Sequence, residues 1–364
     1  MRVLVVNAGS SSLKLSLLAG DDTVIGQQDL PVSRGQFEPS AVAAVVGRLG
    51  GDTAEAVGHR IVHGGRPFTQ PVRLDAAVRK KLEDLVDLAP LHQPKSLAGV
   101  DAVSTVLPGV PAVACFDTAF HAGMPAAAAT YAIPPEWRKR WELRKYGFHG
   151  LSHAYATRRA GELLGHVPAR LVVCHLGSGA SLAAVRDGRS VDTTMGFTPL
   201  DGLVMGTRSG AIDPGLVLWL ADHAGTPTAE LAATLDNRSG LLGLAGTADM
   251  REVLARAAQQ DGAADLALQV YLHRLRALIG SMAAALGGLD TLVFTGGVGE
   301  NAPEIRARAA AGLGFLGVAV DAGRNAAAHG DTDITAPGAA VRAFVVAARE
   351  DLEIARQVRE ILGA

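Results

Sequence analysis

Val3-Leu4-Val5-Val6-Asn7-Ala8-Gly9-Ser10-Ser11-Ser12 joins four apolar residues to a turn of glycine and small polar residues. The same grammar returns at Leu171-Val172-Val173-Cys174 followed by His175-Leu176-Gly177-Ser178-Gly179-Ala180-Ser181. It appears a third time at Leu292-Val293-Phe294 followed by Thr295-Gly296-Gly297-Val298-Gly299-Glu300-Asn301. Short unbroken apolar runs bounded by turn residues read as buried strands. The first two copies continue alike. A second strand follows (Leu13–Leu18; Leu182–Val185), then a hairpin signal (Gly20-Asp21-Asp22; Asp187-Gly188), then a third strand. A β-β-β unit repeated after about 170 residues marks an internal duplication.

Helical patterns follow each unit, at Ala76–Asp87 and Ser152–Leu164, then at Gly215–His223, Thr228–Leu235 and Asp265–Leu286. Strands alternating with helices imply an α/β fold with a mixed sheet in each half. A chain of 364 residues exceeds what one core usually serves, so two domains are expected. They are residues 1–121 and 122–351, with the helix that closes the chain (352–364, within the pattern Glu350–Leu362) returning to the first. The stretch Ala122–Arg144, with three prolines and two tryptophans, reads as the crossover between halves.

Composition narrows the function. Lys and Arg total 34 against 36 Asp and Glu, and no basic stripe is visible, so nucleic-acid binding is not expected. Apolar stretches are broken by Gly, His or Arg before they could span a membrane, and no leader pattern opens the chain. Cys115 and Cys174 each lie inside an apolar run, which reads as two buried, reduced thiols of a cytoplasmic protein. Eleven histidines show no H-E-x-x-H or similar spacing, so a transition-metal site is not expected.

Backbone N–H groups in a Gly/Ser turn can cradle phosphate oxygens, although an ordinary hairpin uses the same residues. Three such turns, two of them in a repeat, fit an enzyme that grips a polyphosphate. Ser10, Ser12 and Lys14 add hydroxyls and a cation to the first. In Gly58-His59-Arg60-Ile61-Val62-His63-Gly64-Gly65 and in Met205-Gly206-Thr207-Arg208-Ser209-Gly210, a guanidinium sits beside glycines. Each either pairs with a surface acid or reaches a carboxylate or phosphate, which its planar fork fits. Asp117 ends the apolar strand Val110–Phe116, a common catalytic or metal position, with a helix N-cap as the plain alternative. His149 lies between glycines just before a helix. Glu350-Asp351-Leu352-Glu353 opens the last helix with acids that can complement its dipole, and Glu350 can also meet Mg²⁺.

The segments V-V-N-A-G-S-S-S-L-K, G-H-R-I-V-H-G-G, L-A-P-L-H, F-D-T-A-F-H, Y-G-F-H-G-L-S-H, H-L-G-S-G-A-S, M-G-F-T-P-L-D-G-L, M-G-T-R-S-G and F-T-G-G-V-G-E-N occur in that order. Together they resemble the acetate kinase family, from Val5 to the last helix. That family is similar to the actin and sugar-kinase superfamily, so the resemblance implies two duplicated actin-like (ribonuclease H-like) domains with a cleft between them.

What the resemblance implies for the site follows the matching positions. Asn7, Ser10, Ser12 and Lys14 would lie near the phosphates. Arg60 and Arg208 would hold acetate and the transferring phosphoryl group, and His149 would stabilise its equatorial charge. Asp117 would align acetate or a metal-bound water. Asn7 and Glu350 would hold Mg²⁺ or Mn²⁺. His92, His175 and Gly177 would complete the cleft wall, and His175, Gly177, Ser178 and Gly179 would bind the nucleotide. Asp249, Met250 and Arg251, with Gly296, Gly297, Val298, Gly299 and Asn301, would contact the nucleotide. Val62, Leu91, Phe148 and Pro199 would enclose the methyl group.

The implied reaction is in-line phosphoryl transfer from ATP to acetate, giving acetyl phosphate and ADP, by a homodimer. Rival expectations are a kinase for propionate or butyrate and a non-catalytic actin-like nucleotide binder. The two arginines, Asp117 and His149 argue against the latter. Several positions depart from the family pattern. Ser178 stands where Asn is usual, Ala211 where an acid is usual, Gly296 where Ala is usual and Gln93 where Asn is usual, and Ala348-Arg349 replace Thr-Asn.

Overall fold

A computed structural model describes residues 1–8, 12–31, 37–89 and 92–364. Ser10 and Leu91, both assigned to the site from sequence, lie outside the described residues. The chain divides into two compact units. One comprises Met1–Gly123, Phe148–Tyr155 and Arg349–Ala364, and the other Met124–Gly147 and Ala156–Ala348. Phe148–Tyr155 lie inside 122–351 in sequence and yet group with the first unit.

The first unit is built on strands β1 (Val3–Ala8), β2 (Ser12–Leu18), β3 (Val24–Pro31), β4 (Ala56–Ile61), β5 (Val72–Arg73) and β6 (Ala112–Phe116). Their order across the sheet is β3-β2-β1-β4-β6-β5. β1 pairs antiparallel with β2 and parallel with β4, β4 pairs parallel with β6, and β5 closes the edge antiparallel to β6. The run Val3–Val6 is continuously apolar because both faces of this sheet are covered. Leu4 and Val6 pack with Val42 and Val46 of helix Pro39–Arg48 and Val103 of helix Gln93–Val106. Val3 and Val5 pack on the other face with Ile354, Ala355 and Val358 of helix Glu350–Leu362. Ile354 and Val358 are fully buried, worth about 1.5–3 kcal/mol each. That apolar stripe at i and i+4 holds the last helix on the first sheet.

The second unit repeats the plan. Its strands are β7 (Arg170–Leu176), β8 (Ala180–Arg186), β9 (Arg189–Thr193), β10 (Thr291–Thr295), β11 (Thr332–Asp333) and β12 (Arg342–Val345). The order is β11-β12-β10-β7-β8-β9. β7, β8 and β9 run as an antiparallel meander, β7–β10 and β10–β12 pair parallel, and β11 is an antiparallel edge. Both sheets therefore hold three consecutive antiparallel strands, two parallel additions and a short antiparallel edge, as the duplicated actin-like fold requires. Helix Gly262–Leu286 begins at Asp261, whose carboxylate accepts from the N–H groups of Ala263 and Ala264. It buries Leu268, Leu272, Leu275, Ile279 and Met282 at helical spacing.

Three sequence expectations are corrected. Gly296–Asn301, read as an open turn after the third strand, is a short helix that starts as soon as β10 ends. Ala122–Arg144 is not a bare crossover; it carries helices Ala126–Ala129 and Pro135–Trp141. The helix expected over Ala76–Asp87 ends at Glu83, and a separate single turn covers Val86–Leu88. Cys115 in β6 and Cys174 in β7 are free and buried. Among the described residues no helix is long and apolar enough to cross a membrane.

Candidate active site

In the first unit β1, β4 and β6 run parallel, so their carboxyl ends share one edge of the sheet. That edge is where open α/β sheets place ligands. Asn7 stands near the end of β1, Arg60 near the end of β4, and Asp117 directly after β6. Arg60 meets Asp117 as a two-pronged pair, with Nη2 donating to Oδ2 at 2.6 Å and Nε to Oδ1 at 3.0 Å. Its remaining nitrogen, Nη1, donates to Asn7 Oδ1 at 3.1 Å and lies 3.6 Å from Glu350 Oε2. Asn7 Nδ2 in turn donates to Glu350 Oε2 at 3.3 Å.

The electrostatics follow from this burial. Desolvation lowers the Arg60 pKa, but Asp117 and Glu350 beside it more than reverse that, and the guanidinium stays charged. Burial pushes the Asp117 carboxyl up from the usual carboxylate range, and the Arg60 guanidinium opposes that rise. Asp117 is thus neither a helix N-cap nor a surface acid: Thr118 caps the single turn Ala119–His121. The last helix is likewise preceded by Arg349, with Glu350 as its first residue, where an acid complements the dipole.

His149 is brought to the same place by a close backbone approach. It adopts φ 56°, and the N–H of Gly150 donates to the Asp117 carbonyl at 2.8 Å. A Cβ on residue 150 would stand 2.1 Å from that carbonyl oxygen, so only glycine lets the chain pass here. Phe148 is buried, its ring edge-on to His63 at 5.5 Å and its carbonyl accepting from His121 Nε2 at 3.1 Å. Val62 is buried one residue beyond the end of β4. Lys14 of β2 is the register partner of Asn7, with Ser12 at the start of the same strand. His92 directly precedes helix Gln93–Val106.

The second unit holds Arg208, Pro199 and the residues expected around a nucleotide. Arg208 pairs through Nε with Asp236 Oδ1 at 2.9 Å, and its Nη1 donates to the Pro199 carbonyl at 3.4 Å. Asp236 was missed from the sequence because nothing distinguishes it from other polar residues of helix Thr228–Asn237.

A cavity of about 400 Å³ in this unit is lined by Gly177, Ser178, Asp249, Met250, Arg251, Gly297, Val298 and Asn301. Gly206, Leu241, Ala248, Leu254, Tyr271 and Ala302 complete it; none of the six was assigned to the site from sequence. His175, Gly179, Gly296 and Gly299 lie in the adjoining chain rather than in the lining. Gly296 has φ +78°, and a Cβ there would meet the Leu176 carbonyl oxygen at 2.8 Å, so the start of helix Gly296–Asn301 approaches the end of β7 more closely than an alanine permits. Asp249 caps helix Met250–Ala258 and pairs with Arg251 at 2.6 Å. The hydrogen bonds from Arg251 hold the Asp249 carboxyl down to about 2.

Residues 47–356 match the model of the Acetokinase family. The acetate kinase of Streptomyces coelicolor is 45% identical over 395 residues, covering 100% of this chain and 97% of that protein. Among solved structures, a propionate kinase from Francisella tularensis superposes with a TM-score of 0.92 at 37% identity, with 99% of each chain covered. Porphyromonas gingivalis acetate kinase gives 0.91 at 36%, again with 99% of each.

Proposed function

The chain belongs to the acetokinase family, and on that premise we propose that it transfers a phosphoryl group reversibly between ATP and acetate, with ADP and acetyl phosphate as the other pair. The observation that carries this reading is the Arg60 guanidinium, fixed at the strand ends by Asp117 and flanked by Asn7 and Glu350. A clamped cation at such an edge suits a carboxylate substrate and the charge of a transferring phosphoryl group. Acetate is already ionised at neutral pH, so the protein needs no general base; positioning and charge neutralisation remain.

Each residue then has a task. Arg60 binds the acetate carboxylate, and Asp117, with both oxygens turned to Arg60, sets the orientation of that fork. Arg208, held by Asp236, neutralises charge on the transferring group, and His149 stabilises its equatorial oxygens. Val62 and Phe148 pack against the methyl group. The cavity lined by Gly177, Ser178, Gly297 and Val298 receives the nucleotide. Asn7 and Glu350 would supply oxygen donors to Mg²⁺, or Mn²⁺. Glu350 offers a carboxylate and Asn7 an amide oxygen, with Asn7 Nδ2 3.3 Å from Glu350 Oε2. That fits a cation which takes one or two protein oxygens and leaves the rest to phosphates and water. When bound it neutralises polyphosphate charge.

Propionate kinase is the second reading, favoured by the likeness to the Francisella structure. We also propose a cytoplasmic homodimer. Helix Pro214–His223 supports it by exposing Leu216, Leu218 and Trp219, more apolar surface than a solvated helix usually carries. A hydroxamate assay with ATP and acetate, propionate or butyrate tests the activity, with and without excess EDTA. Acetate should be the best substrate and EDTA should abolish turnover. Full activity in EDTA, or none with any acid, overturns the reading.

A further inference from the structure

Arg306 is among the most deeply buried large side chains of the protein, with 1% of its surface exposed. It lies in helix Pro303–Ala311, away from every motif read in the sequence. All its partners among the described residues are neutral. Nη1 donates to the carbonyls of Gly299 and Glu300 at 2.8 and 2.7 Å. Nε donates to Asn325 Oδ1 at 2.7 Å and Nη2 to the Asn325 carbonyl at 2.6 Å. The Asn325 amide closes the ring by donating to the Pro303 carbonyl at 2.8 Å. A buried charge without a counter-ion is expensive, and an apolar side chain would fill the same volume more simply. Burial accordingly lowers the Arg306 pKa.

The two carbonyls that Arg306 holds belong to the end of helix Gly296–Asn301. The last carbonyls of a helix have no intrahelical partner and carry its negative pole, so a guanidinium suits them twice over. This helix has six residues, too few to be stable alone, and its pose has to be fixed from outside. It also supplies Gly297, Val298 and Asn301 to the wall of the 400 Å³ cavity.

We propose that Arg306 is a positioning residue for the nucleotide: by tying the end of helix Gly296–Asn301 to Asn325, it fixes the cavity wall that the nucleoside packs against. This rests on the reading of that cavity as the nucleotide site. Arg306 touches no substrate, and it acts through the helix.

The test uses Arg306→Lys, Arg306→Met and, at the far end of the ring, Asn325→Ala. For each folded variant, KM for ATP, KM for acetate, the Kd of ADP by calorimetry and deuterium uptake over 296–301 are measured. Both Arg306 variants should raise KM for ATP and the Kd of ADP about tenfold, speed exchange over 296–301, and leave KM for acetate within about twofold. Lysine should not rescue, since one ammonium cannot reach the helix carbonyls and Asn325 together. Asn325→Ala should show the same pattern more weakly. Wild-type nucleotide constants in a folded Arg306 variant, equal rises in both KM values, or failure of all three to fold would each overturn the proposal. Failure of the unaltered protein to bind ADP would instead overturn the nucleotide site itself.

Discussion

Arg60 and Asp117, 57 residues apart in sequence, form a two-pronged ion pair with Nη2 2.6 Å from Oδ2, and Asp117 is 99% shielded from solvent. The pair unites two roles that pull apart on mutation. Arg60→Ala removes the proposed acetate contact and also leaves Asp117 buried without its counter-charge. Turnover should fall about 10²–10³-fold, and stability by about 3 kcal/mol. The double variant Arg60→Ala with Asp117→Ala should regain much of the stability and none of the activity. Urea unfolding alongside initial rates checks this, and a double variant no more stable than the single one would contradict it.

Arg208 presents the opposite balance. Its ion pair with Asp236 is partly solvated on both sides, and such pairs contribute about 0–1 kcal/mol. Arg208→Ala should therefore keep its melting temperature within a few degrees while kcat drops about 10²–10³-fold. A near-normal kcat would remove Arg208 from the active site.

The two histidines that flank Arg60 in sequence set an acid limit on stability. Burial lowers the pKa of both His59 and His63 from 6.5 to about 4. His59 Nε2 has no hydrogen-bond partner among the described residues, and His63 Nδ1 accepts from the Gly65 N–H, so both rings are held neutral. Between pH 6.5 and 4 the unfolded chain binds more protons than the folded one. Stability is complete above 6.5 and falls as pH drops toward 4, by up to about 1.4 kcal/mol per pH unit for each ring. Urea midpoints from pH 7 to 5 should show the decline, and His59→Gln should flatten it; an unchanged slope would contradict the account.

Ser178 lines the 400 Å³ cavity proposed to receive the nucleotide, where the family pattern has asparagine. If that position donates to a phosphate, Ser178→Asn should preserve or raise kcat/KM for ATP. A large loss would mean the loop is arranged differently in this chain.

Val62 is 7% exposed and follows directly on the strand that carries Arg60. An extra methylene gains about 0.8 kcal/mol from burial, so preference for acetate has to be steric. One-methylene discrimination reaches about 1–3 kcal/mol. Propionate should be measurably poorer than acetate and butyrate marginal, with Val62→Ala shifting the kcat/KM ratio toward propionate. An equal loss on all three acids would remove Val62 from the methyl pocket.

Sequence alone determined the repeated strand grammar, the mixed sheets and the helices that cover them. These depend on alternation over two residues or recurrence over three and four, which the chain displays locally. Val3–Val6 announces a strand buried on both faces, and Ile354 and Val358 announce the face of the last helix. The Gly- and Arg-bearing segments were also visible as candidates. What only the tertiary structure decided is which polar groups meet. Asn7 and Glu350 touch across 343 residues because β1 and the last helix belong to one unit, and no local pattern encodes that meeting. Asp236, Tyr271 and Arg306 carried no signal in the sequence, since a polar side chain takes its role from the partner that sheet register and helix packing bring to it.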